Sequence, residues 1–117
     1  MLIALIAVGC GRSASYRNIS PAEVQERMEA GENLILIDVR ESWEYTEGRI
    51  PGAVLFPLGD LKENYTELDK NAEIILVCRS GNRSGQAAAF LTEKGYTDVY
   101  NLVGGMLAWE GPVERGL

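Results

Sequence analysis

Cys78 is followed at once by Arg79, Ser80, Gly81, Asn82, Arg83 and Ser84, and every feature of that run favours an ionised sulfur. A glycine permits the backbone angles of a tight loop whose successive amides turn inward as an anion-binding nest. Two serines supply hydroxyl donors, and two arginines supply full positive charge. A helix predicted to begin at the end of the run adds unpaired N–H groups and partial positive charge. Such surroundings hold a cysteine well below the ordinary thiol range and make it a nucleophile without a neighbouring base. Two guanidinium groups beside the thiol, in a chain of net charge −6, point to an anionic substrate. The competing expectation is a small core residue capping a buried strand, which is what most free cysteines are. The glycine, serines and arginines weigh against it.

The rest of the composition narrows the chemistry. Histidine is absent, which removes Ser–His–Asp and Cys–His pairs, histidine general bases and histidine-containing zinc sites. The two cysteines, Cys10 and Cys78, are too few for a disulfide framework or a four-cysteine metal centre. No metal and no cofactor is expected. The negative charge argues against nucleic acid as a partner.

The thiol loop needs a frame, and the apolar pattern provides one. Leu34–Ile37 and Ile74–Val77 are continuous apolar runs, as expected of strands buried on both faces. Tyr16–Ile19, Ala53–Phe56 and Asp98–Leu102 complete a set of five short strands. Between them lie helical stretches. Ser20-Pro21-Ala22-Glu23 opens the first with a capping serine, a proline at the first helical position and a glutamate three residues after the cap. That helix should run to about Ala30 and stop at Gly31. Further helices are predicted over Ser42–Glu47, Leu58–Leu68, Arg83–Lys94 and Met106–Trp109. Alternation of this kind gives an α/β domain with parallel pairing and helices on both faces. Ligands of such sheets bind beyond the carboxyl ends of the strands, and Cys78 falls on that edge. Glu23, Glu26 and Glu29 read as a solvated helix face. Trp43 and Trp109 read as packing residues, and Gly104-Gly105 as a tight turn.

At 117 residues the chain has room for one core, with 46% apolar and 24% charged residues, as in soluble globular proteins. Residues 1–15 read differently from 16–117. Met1–Gly9 is apolar but too short to cross a bilayer, and it fits the core of a secretory signal. Ala7-Val8-Gly9-Cys10 resembles a bacterial lipobox, although no basic residue precedes it and Ala7 stands where leucine is more usual. The expectation is export to the cell envelope or periplasm with Cys10 lipidated, so that membrane contact is through a lipid anchor. The alternative is a cytoplasmic protein in which that stretch is a buried strand.

Four segments together resemble the single-domain rhodaneses, thiosulfate sulfurtransferase-like proteins. They are Ile37–Glu41, Gly48-Arg49-Ile50-Pro51-Gly52-Ala53, the Cys78–Ser84 loop, and Leu102–Trp109, in the family's order. The resemblance implies a five-stranded parallel sheet flanked by helices. It also implies that Cys78 carries a sulfane sulfur as a persulfide. Substrate would be held by Arg79, Ser80, Gly81, Asn82, Arg83 and Ser84, with backbone amides around the outer sulfur. Asp38 and Arg40, at a strand end, are expected to brace neighbouring loops. The second motif departs from the family, with Arg49 where histidine is usual. The implied cycle takes sulfur from an anionic donor such as thiosulfate and gives it to cyanide, a thiol or an acceptor protein. Nothing in the sequence calls for more than a monomer. Two rivals stand beside it. One is a persulfide carrier that turns over free donor poorly. The other is a cysteine phosphatase or arsenate reductase, whose similar loop is one residue longer.

Overall fold

The computed structural model describes residues 15–117, so Cys10 and the apolar segment before it lie outside the described residues. Five strands form one sheet: β1 Arg17–Ile19, β2 Ile35–Asp38, β3 Val54–Leu55, β4 Ile74–Val77 and β5 Val99–Leu102. Their order is β1-β5-β4-β2-β3, and all pairings are parallel. The helices are α1 Pro21–Glu29, α2 Ser42–Glu47, α3 Leu58–Asn64, α4 Asn82–Glu93 and α5 Gly105–Ala108. A 3-10 turn over Tyr65–Glu67 completes the stretch that sequence alone runs together with α3.

The strand period of two explains the core. Along β4, Ile74 and Leu76 face one side, with Leu61 of α3 and Ala87, Ala88 and Leu91 of α4. Ile75 and Val77 face the other, with Val24 of α1, Ile50 and Trp109. All four β4 residues are buried, as a central strand with helices on both faces requires. The margins of the sheet behave differently: Val54 of the edge strand β3 is 57% exposed, and Ile35, where the interior strand β2 begins, is exposed as well. The helix starts follow local chemistry. Ser20 caps α1, its Oγ accepting from the Glu23 amide at 3.1 Å. Glu41 and Glu44 form a reciprocal capping box on α2. Glu23, Glu26 and Glu29 lie on the exposed side of α1.

Arg49 also finds its place here. Its backbone pairs with Glu114 in both directions at 2.9 Å, and its Nη1 donates to the Gly116 carbonyl at 2.7 Å. The guanidinium lies 4.5 Å from the centre of the Tyr45 ring. The residue that departs from the family motif therefore anchors the carboxyl-terminal tail.

Candidate active site

Three strand ends meet at the carboxyl edge. β4 delivers Cys78, the adjacent β2 delivers Asp38, and β5, on the other side of β4, leads into the turn before α5. Beyond Val77 the chain bends through Gly81, which has φ +101, a left-handed conformation that a side chain would strain. The bend brings the Gly81 amide to 3.0 Å from Cys78 Sγ. Ser84, in the first turn of α4, puts its Oγ 3.3 Å from the same sulfur.

The turn after β5 supports this loop from below. The amides of Met106 and Leu107 donate to the carbonyls of Cys78 and Arg79 at 2.9 and 3.0 Å. Gly105 has φ +55, and a Cβ there would press into the Cys78 carbonyl oxygen and come within 2.6 Å of that of Arg79. The tight turn read from Gly104-Gly105 is thus also the shelf on which the thiol loop rests.

Burial alone would push the Cys78 thiol up. The Ser84 hydroxyl and the amides of Ser84, Gly81 and Ser80 outweigh it and hold the thiol below its ordinary value. Cys78 is only 1% exposed, so the sulfur lies at the floor of the loop with its donors around it.

The arginines divide. Arg83 forks onto Glu44 of α2, Nη1 to Oε1 at 2.8 Å and Nη2 to Oε2 at 2.9 Å. That pairing drives the Glu44 carboxyl from 4.5 down to about 2, against the opposing effect of burial, and raises Arg83. The guanidinium expected to serve the substrate is thus held by a carboxylate, while remaining near enough to feel charge on Cys78. Arg79 is exposed and has no ion-pair partner among the described residues. Asn82 is exposed, and its Oδ1 accepts from Gln86 along α4 at 2.9 Å rather than facing the sulfur. Ser80 contributes its amide. Asp38 is fully buried, and both its oxygens accept from Arg40, which also donates to the Gly48 carbonyl at 2.8 Å.

A cleft of about 230 Å³ opens beside the loop, lined by Arg40, Trp43, Glu44, Arg79, Met106 and Leu107 among others. Trp43 corrects an expectation: it is 63% exposed on the wall of this cleft, because α2 turns that side outward, whereas Trp109 is 8% exposed in the core. Glu44 on α2 and Asn101 on β5, whose Oδ1 lies 2.5 Å from Ser84 Oγ, also belong to the site, and the sequence marks them only faintly. A glutamate three residues after Glu41 signals a capping box, but nothing local signals its arginine. Asn101 interrupts an apolar strand, which is the one hint it offers.

Residues 20–112 match the Rhodanese-like domain family, and the chain belongs to it. It is 48% identical over 95 residues to YtwF of Bacillus subtilis, provisionally named a sulfurtransferase, covering 81% of this chain and 91% of YtwF. It is 33% identical to the thiosulfate sulfurtransferase GlpE of Pseudoalteromonas translucida, covering 82% of this chain and 90% of GlpE. A crystal structure of a rhodanese-like domain protein from Staphylococcus aureus superposes with a TM-score of 0.79 at 29% identity. It covers 86% of this chain and 99% of that one.

Proposed function

We propose that this protein is a sulfurtransferase that takes sulfane sulfur from thiosulfate or a similar anionic donor and passes it to a thiol or cyanide through a persulfide on Cys78. The observation that carries the reading is the set of polar groups converging on one sulfur: the Gly81 amide at 3.0 Å and, at 3.3 Å, the Ser84 hydroxyl, which can donate to a thiolate, on a loop that begins where β4 ends. The Cys78 thiolate attacks the outer sulfur of thiosulfate. The Sγ–S bond forms, the donor's S–S bond breaks, and its electron pair leaves on sulfite. The negative charge then resides on the outer sulfur, where preorganised amides stabilise it. An acceptor thiolate attacks that sulfur, and the electron pair of the broken bond returns to Sγ. Sulfite and thiolate leave as anions, so a chain without histidine needs no protonating acid. Arg79, without an ion-pair partner among the described residues, stands on the wall of the cleft and supplies the attraction for the donor.

Intact-mass measurement after thiosulfate treatment tests this. The expected result is a gain of one sulfur, removed by cyanide and absent in Cys78→Ser. No mass gain on the folded wild-type protein would overturn the reading. A mass gain without thiosulfate:cyanide turnover would instead identify a persulfide carrier, and turnover of an aryl phosphate without it a phosphatase.

A further inference from the structure

One hydroxyl hydrogen stands between two acceptors. Ser84 Oγ lies 2.5 Å from Asn101 Oδ1 and 3.3 Å from Cys78 Sγ. The Asn101 amide is oriented by its other end, since Nδ2 donates to the Gly81 carbonyl at 3.2 Å. A carbonyl only accepts, so Nδ2 must face Gly81 and Oδ1 must face Ser84. Two oxygens at 2.5 Å need a hydrogen between them, and Oδ1 has none to give. The Ser84 hydrogen is therefore on Asn101 in this arrangement, and Oγ presents a lone pair to the sulfur. A thiol suits that lone pair because S–H can donate to it. A thiolate does not, and it must draw the hydroxyl hydrogen away from Asn101.

We propose that Asn101 is a positioning residue whose carbonyl holds the Ser84 hydrogen while Cys78 Sγ is uncharged and releases it to the sulfur whenever charge returns there. The proposal rests on the sulfur-transfer reading for its place in the cycle. When Sγ bonds to the transferred sulfur its charge moves outward, and the hydrogen turns back to Asn101. When the acceptor breaks that bond the electron pair returns to Sγ, and the hydrogen turns to meet it. No proton changes molecule in either step. All three groups are buried, with Ser84 fully so and Asn101 9% exposed. The charged and titratable groups around Cys78 are Arg79 in the loop, Arg83 of α4 with Glu44 of α2, the Asp38–Arg40 pair after β2, and the Tyr16 hydroxyl near Gly85. None of these is an alternative acceptor for the Ser84 hydrogen in the observed hydrogen bonding.

The test is the pH profile of Cys78 alkylation by iodoacetamide in the full chain. Asn101→Leu removes the competing acceptor at similar volume. Below the pKa it should raise the thiolate fraction about three- to tenfold, moving the profile to lower pH. Ser84→Ala should move it to higher pH. Asn101→Leu placed on Ser84→Ala should then move it no further, because the contested hydrogen is gone. The lost Asn101–Gly81 bond is common to both backgrounds, so the cycle separates it. If circular dichroism shows Asn101→Leu unfolded, Asn101→Ala carries the same expected sign. A profile that stays put or moves to higher pH in the Asn101 variants, or an Asn101→Leu shift that is equally large on Ser84→Ala, overturns the proposal. Intact mass after thiosulfate reads the sulfur-transfer assignment separately, so either can fail alone.

Discussion

Two loops leave the carboxyl edge of the sheet side by side, after β2 and after β4, and they treat charge in opposite ways. The β2 loop buries Asp38 and neutralises it within two residues by the fork of Arg40. The β4 loop buries Cys78 and meets it with an amide and a hydroxyl, while its own Arg83 crosses to Glu44 of the neighbouring loop. A full counterion beside a carboxylate fixes one charge state and a rigid loop. Oriented dipoles around a sulfur lower the cost of its charge without making that charge permanent, which suits an atom that gains and loses it. Arg40 and Arg83 are therefore committed to carboxylates, and Arg79 alone of the three is not, among the described residues.

The largest expected effect tests the rigid loop. Arg40→Ala leaves the Asp38 carboxylate buried without its counterion, and the cost should be about 3–5 kcal/mol. Urea denaturation measures it. A loss below about 1 kcal/mol would mean that the two loops do not differ as described.

An intermediate effect tests the bridge between the loops. Glu44→Gln weakens the hold on Arg83 and should cost about 1–3 kcal/mol near neutral pH. The Glu44 carboxyl falls from 4.5 to about 2 on folding. Its contribution is thus complete above 4.5 and is lost as pH drops through the folded value. The gap in melting temperature between wild type and Glu44→Gln should therefore be full at about pH 6 and narrower at about pH 3. A constant gap across that range would show that the pairing does not depend on the carboxylate.

The smallest stability effect belongs to Arg79→Ala. Removing an exposed side chain that has no ion-pair partner among the described residues should change stability by less than about 0.5 kcal/mol. The KM for thiosulfate should nevertheless rise about three- to tenfold at low salt, and less at high salt as screening weakens the wild type's advantage. An unchanged KM would leave donor attraction to the amides alone.

The legibility of the molecule follows the range of its interactions. The frame was readable because its causes are local. Ile74–Val77 is apolar without interruption, Ser20 caps its own helix, and the sulfur, glycine and serines of the thiol loop lie within seven residues. The contacts that set the site's charge are not local. Arg83 meets Glu44 across 39 residues, and Ser84 meets Asn101 across 17. Either pairing exists only because β4 lies between β2 and β5, a strand order that no window of sequence contains. The tryptophans make the same point. Trp43 and Trp109 are the same residue type, yet one lines a cleft from the outer side of α2 and the other, just past the end of α5, fills the core.

Amino-acid order alone therefore settled the alternation of strands and helices, the left-handed turn at Gly81 and the place of Cys78 at the end of a buried strand. Each depends on apolar period, backbone freedom and neighbours a few residues away. Tertiary packing decided which of the available donors face the sulfur, which arginine is tied down and which is left to solvent. Those outcomes depend on ångström-scale distances between separate strand ends, and hydrogen bonds and ion pairs are selective on that scale.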